Sequence, residues 1–175
     1  MLRITLIVLL LCSLPGMAEE PDAASPDALP AAAWSGVWRL DADASDSVEP
    51  MLEVMRAPWI ARKAAAVMTP TMRITALAHG GLRVINENPI QTTDQEIFVD
   101  GVKRDRLDPL DRKVVRSATW NDTGELVVRN WNHVASDAVV EVTSTWQLAG
   151  DTIEIRNAIE AEGDALLVRR VFRKQ

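Results

Sequence analysis

Residues 43–71, "DASDSVEPMLEVMRAPWIARKAAAVMTPT", mark the point where the period of the chain changes. Met51, Leu52, Val54 and Met55 form an apolar stripe at helical spacing. Asp46, followed three residues later by Glu49, has the pattern of a helix N-terminus, with Ser47 or Glu49 as alternative starts. Pro58 breaks this helix and fits the first turn of a second one, Trp59 to Met68, which is alanine-rich and stops before Pro70. The segments on both sides follow a different rule. "WSGVWRLD" (34–41) sets Trp34, Gly36, Trp38 and Leu40 on one face of a strand. After Thr71 the chain reads as strands and short turns to its end.

In "TMRITAL" (71–77), Met72, Ile74 and Ala76 oppose Thr71, Arg73 and Thr75. "HGG" (79–81) turns the chain into "LRVINEN" (82–88). Further runs are "QEIFVD", "VKRDRLD", "RKVVRSATW", "ELVVRNW", "AVVEVTSTW", "TIEIRNAI" and "LLVRRVFR". Turn residues such as Asp100-Gly101, Asn121 to Gly124, Gly150-Asp151 and Gly163-Asp164 separate several of them. About ten strands at this spacing, with the helix pair inserted after the first, predict an antiparallel up-and-down β-barrel. Closure of such a meander removes its edges. The helix pair can cover one open end, and a barrel of more than about eight strands leaves room for a ligand.

The N-terminus has a separate purpose. "MLRITLIVLLLCSLPGMA" has one charge at Arg3, an apolar run and a small-residue end, the pattern of a secretory signal peptide cleaved after Ala18. Its apolar run is about half of what a bilayer span needs. Cys12 lies within that run, so the mature chain has no thiol for a disulfide or a thiolate metal site. Residues 19–33, rich in proline and alanine, read as a disordered lead-in, leaving 34–175 as one barrel domain. The formal charge of −6 becomes about −7 without Arg3. An acidic chain without a basic block is a poor partner for nucleic acid or anionic lipid surfaces. The expectation is an exported monomer, periplasmic or secreted, without a membrane span once processed.

These residues resemble the intracellular lipid-binding proteins, that is, the fatty-acid-binding and retinoid-binding branch of the calycin superfamily. "WSGVWRLD" resembles the family's opening aromatic-x-Gly-x-Trp-x-Leu. "MLEVMRAPWIARKAAAVMTPTMRI" is similar to its helix-turn-helix, including Arg62-Lys63 and the Pro70-Thr71 lead into the second strand. "DRKVVRS" and "ELVVRNW" match its middle strands, and "RRVFRK" its terminal Arg-x-Tyr strand. The leader and the "GxWxLD…S" opening also resemble small secreted bacterial lipocalin-like proteins. The resemblance implies non-covalent binding of a fatty acid or similar hydrophobic molecule inside the barrel, without a cofactor, a metal or catalytic residues. It also implies that Arg170 holds the ligand carboxylate. Phe172 stands where the family has tyrosine, and Trp146 near its second arginine. Arg129 and Arg112 match positions that face inward in the family.

The residues raise the same question directly. Leu166, Val168, Arg170 and Phe172 share a strand face, and an arginine on a buried face calls for an anion. Met51, Met55, Trp59 and Met68 are candidate ligand contacts from a lid, because flexible side chains adapt to acyl chains. His79 and His133 lack further ligands at metal spacing. Two rivals remain at this level. One is an isomerase or cyclase on the same barrel. The other is a barrel packed solid by Trp120, Trp146 and Phe172, with a structural or interaction role in the cell envelope.

Overall fold

The structure, a computed structural model, describes residues 28–108, 111–135, 138–161 and 164–175. The leader 1–18 and residues 19–27 of the lead-in lie outside the described residues. The chain order is α1 (Ala28–Ala33), β1 (Gly36–Leu40), α2 (Glu49–Val54), α3 (Trp59–Val67), β2 (Thr71–Ala76), β3 (Leu82–Glu87), β4 (Thr92–Ile97) and β5 (Arg104–Leu107). It continues with β6 (Lys113–Trp120), β7 (Leu126–Ala135), β8 (Ala138–Ala149), β9 (Thr152–Ala161) and β10 (Asp164–Lys174).

All ten strands join one antiparallel sheet in the order β4-β3-β2-β1-β10-β9-β8-β7-β6-β5. The pairing of β1 with β10, Trp38 opposite Lys174 and Leu40 opposite Phe172, brings the first and last strands together and curls the sheet into a barrel. Tight turns set the register of the meander. At one of them Asn121 accepts the Thr123 and Glu125 backbone N–H groups, and Gly124 takes φ +78°, where a side chain would be strained.

The barrel interior is divided by height. Its lower half is solid: Trp34, Trp38, Leu126, Trp146, Ile153 and Phe172 are buried, with Trp120 packed on them. The Trp38 indole N–H donates to the Trp34 carbonyl at 3.0 Å, and Trp34 lies 5.7 Å from Trp120. The packing expected of a filled barrel is therefore present, but only in the lower half. The upper half, beneath α2 and α3, is open.

Three expectations are corrected. The last six residues of the lead-in form α1, because Ala31 packs into the tryptophan core. Asp46 does not cap α2. Val48 occupies the N-cap without a side-chain bond, and the Ser47 hydroxyl accepts the Glu49 N–H at 3.2 Å. Asp46 instead exchanges bonds of 2.8 Å with the backbone of Arg169, where β10 runs on past the end of β1 and needs partners. Third, the meander does not close completely. No backbone ladder joins β4 to β5. Side chains cross that seam instead: Arg106 donates to the Glu96 carbonyl, Arg116 to Gln95, and the Arg104 guanidinium lies 4.5 Å over Phe98.

Candidate functional site: a cavity under the helix pair

The upper half of the barrel holds a half-open cavity of about 660 Å³. Its roof is apolar: Met51, Leu52 and Met55 at α2, Ala57 from the inter-helix turn, and Ala61 and Ala65 from α3. Neither helix carries a fully buried residue, so these side chains border open space rather than filling a core. The pair is held together by Arg62–Glu53 at 2.8 Å and Lys63–Glu49 at 2.7 Å. Its sharp corner follows from how α2 ends. The Ala57 N–H reaches back to Leu52 O and Arg56 N–H to Glu53 O, with Arg56 at φ +52°, a left-handed position that usually favours glycine.

The cavity wall carries many polar side chains, interspersed with Leu107, Val114 and Val142. Gln91, Thr93 and Gln95 on or before β4, Arg116 on β6, Asn130 and Asn132 on β7, Ser144 on β8 and Asn157 on β9 all line it. Strand pairing makes this a band. Arg116 stands opposite Asn130, and Ser144 opposite Asn157. The Arg116 Nε–H donates to Asn130 Oδ1 at 2.7 Å and its Nη1 to Gln95 Oε1 at 2.6 Å. The Ser144 hydroxyl donates to Asn157 Oδ1 at 2.7 Å. This band separates the tryptophan floor from the open space above it.

Arg116 has only neutral partners among the described residues. Burial pushes its guanidinium down to about 10, and the nearby Arg106 adds to the effect. It remains a cation at neutral pH, held in a desolvated place without a counter-charge. The two carboxylates on the lining are both engaged. Asp94 is held below its usual value by Arg83, and Asp108 pairs with Arg112 at 2.7 Å.

The sequence candidates divide into four groups. Met51, Met55 and Arg112 line the cavity. Arg112 also ties the roof to the barrel, since its Nη1 donates to the Met55 carbonyl at 2.7 Å. Arg170 and Met68 line a separate, smaller cavity of about 340 Å³ behind Ala65. There the Arg170 Nε is buried without a hydrogen-bond partner among the described residues, and burial lowers its pKa against the opposing pull of Asp46. Trp146 and Phe172 are buried in the lower core. Trp59 is 63% exposed on the outside of α3. Arg129 is corrected from inward to outward. The inner face of β7 is Leu126, Val128, Asn130 and Asn132, while Trp131, on the Arg129 face, bonds Glu141 outside at 2.9 Å.

The sequence reading missed Arg116 and the amide band. A signal was available, because Val114, Arg116, Ala118 and Trp120 place an arginine on an apolar strand face just as Leu166 to Phe172 does.

No family model and no curated protein sequence matches the chain. Solved structures do. A Schistosoma mansoni fatty-acid-binding protein in complex with arachidonic acid superposes with a TM-score of 0.70 at 16% identity, over 83% of this chain and 98% of that one. An apo Caenorhabditis elegans lipid-binding protein gives 0.69 at 17%, over 82% and 96%. An Echinococcus granulosus fatty-acid-binding protein gives 0.64 at 18%, over 81% and 97%. At these identities the likeness is one of fold: the chain shares the barrel fold of these lipid- and fatty-acid-binding structures.

Proposed function

We propose that this protein is an exported carrier that binds a fatty acid or similar amphiphile non-covalently in the cavity under α2 and α3. The observation that carries the reading is the pairing of an apolar roof with a polar wall in which Arg116 lacks a counter-charge. The volume lies within the usual range for small-molecule pockets, about 300–1,000 Å³. An apolar chain lying against Met51, Leu52, Met55 and the α3 alanines would gain about 0.8 kcal/mol per methylene removed from water. Its anionic head would lie against the wall, where a charged hydrogen bond to Arg116 relieves a desolvated cation. The structural neighbours, two fatty-acid-binding proteins and one lipid-binding protein, support the same class of ligand.

Export rests on the leader at 1–18, and the carrier acts as a monomer on this reading. Among the described residues no helix is long and apolar enough to cross a membrane.

The test is native mass spectrometry of the protein purified from its own cells, with displacement of a fluorescent fatty acid as a second measurement. A co-purifying amphiphile and saturable one-to-one displacement are expected. A protein that emerges empty and displaces nothing refutes the reading.

A further inference from the structure

We propose that the head group selected by this cavity is a doubly charged one, of the phosphate monoester class, seated against Arg106 and Arg116. The inference rests on the carrier reading above and narrows it. Two other arginines near the cavity and its seam already have carboxylates: Arg104 with Asp100 and Arg112 with Asp108. Arg106 and Arg116 form no ion pair among the described residues. Arg106 donates to the Glu96 carbonyl, and Arg116 to the side-chain oxygens of Asn130 and Gln95. Both line the cavity, and they are close enough for the charge of Arg106 to disfavour that of Arg116.

Two guanidiniums lining one cavity, neither paired with a carboxylate among the described residues, can meet two negative charges. A monocarboxylate supplies one. A phosphate monoester supplies about 1.5 to 2 at pH 7, on three oxygens that only accept hydrogen bonds. The hydrogen-bonding polarity of the wall agrees. Asn130 and Gln95 both spend their carbonyl oxygens on Arg116, which leaves their NH₂ groups as donors beside the two guanidiniums. Guanidinium forks suit phosphate geometry in particular.

The experiment is calorimetric titration of the mature protein with four ligands of one chain length: dodecyl phosphate, dodecyl methyl phosphate, dodecanoate and dodecanol. Dodecyl phosphate should bind at least tenfold more tightly than the two monoanions, and dodecanol most weakly. Arg106→Gln and Arg116→Gln, checked for folding by circular dichroism, should each bring dodecyl phosphate to within about threefold of dodecanoate. Arg129→Gln, on the outer face, should keep the full preference. Equal affinity for the phosphate monoester and the monoanions overturns the inference and leaves the carrier reading standing. A preference that survives loss of both arginines also overturns it. If none of the four binds, the carrier reading falls and takes this inference with it.

Discussion

Replacing Arg112 by methionine should loosen the roof without dissolving the barrel. Arg112 lies just before β6, and its Nη1 reaches the carbonyl of Met55 at the C-terminal end of α2. The last carbonyls of a helix have no intrahelical donor, so this bond fills an otherwise unmet need. The guanidinium is also fixed by Asp108, through Nε and Nη2, both at 2.7 Å. A hydrogen bond from a charged donor contributes about 1.5–3 kcal/mol, and neither lid helix has a fully buried residue to replace it. At about 1.4 kcal/mol per tenfold change, loss of the tie should raise the open fraction of the lid roughly 10- to 150-fold. Hydrogen exchange should accelerate by that factor over residues 49–67, and stopped-flow release of a bound fluorescent fatty acid should quicken in parallel. Amides of β8 and β9 should change far less. Asp108→Asn leaves the arginine able to reach Met55 and should produce a smaller effect. Unchanged exchange over 49–67, or equal acceleration in β8 and β9, would refute the tie.

The remaining predictions are shorter. N-terminal sequencing of protein from native cells should find Glu19 first; a retained Met1 in exported protein would contradict cleavage. Replacing Glu49–Val67 by a short Gly/Ser linker should leave a folded barrel that releases ligand quickly, seen as retained near-ultraviolet dichroism with fast off-rates. The cut must spare Ser45 and Asp46, whose bonds to β10 belong to the barrel, and an unfolded product would show that the helices are core. Arg116→Met should give an apo protein that melts no lower than the parent, because a desolvated charge has been removed; a marked fall in Tm would show that its bonds to Gln95 and Asn130 outweigh that cost. Asp41, Asp94, Asp100 and Glu125 are all held below their ordinary values, mainly by hydrogen bonds to Arg173, Arg83, Arg104 and Asn121 respectively. The unfolded chain therefore binds protons more readily, so their contribution is complete above about pH 5 and lost as pH falls through the folded values. Acid titration by circular dichroism should show Asp100→Asn less sensitive to acid than the parent.

The fold could be read from the sequence because periodicity reports it directly. The change from period two to helical spacing at residues 43–71 and the return to period two at Thr71 placed the helix pair between the first two strands, and the structure has it there. The site was less accessible for a physical reason. In β7 both faces are mixed, Leu126-Val128-Asn130 against Val127-Arg129-Trp131, so alternation alone does not say which face is inner, and a one-residue choice moves every side chain across the wall. In β10 height decided the outcome: Arg170 lines the smaller cavity with Ala65 rather than the larger one. Height along a barrel depends on where the helices and turns come to rest, and no strand's own pattern encodes it. The face of Arg116 was readable from Val114, Ala118 and Trp120, but its partner Gln95 was not, since it lies across a seam that no hairpin connects.

That seam links the architecture to the binding site. A ten-stranded sheet whose edge strands do not pair needs another means of holding β4 against β5, and unsatisfied strand edges are costly when buried. Here the means is a set of arginines, and two of them, Arg106 and Arg116, face the cavity as well as the seam. A guanidinium has five donors, so a ligand oxygen can be met without the bonds to Glu96 and Gln95 being given up. On the proposed reading, an anion bound there would add counter-charge to these same side chains while it occupies the wall. The charge of Arg116, which has no carboxylate partner among the described residues, is on that reading a local cost that a bound anion would relieve.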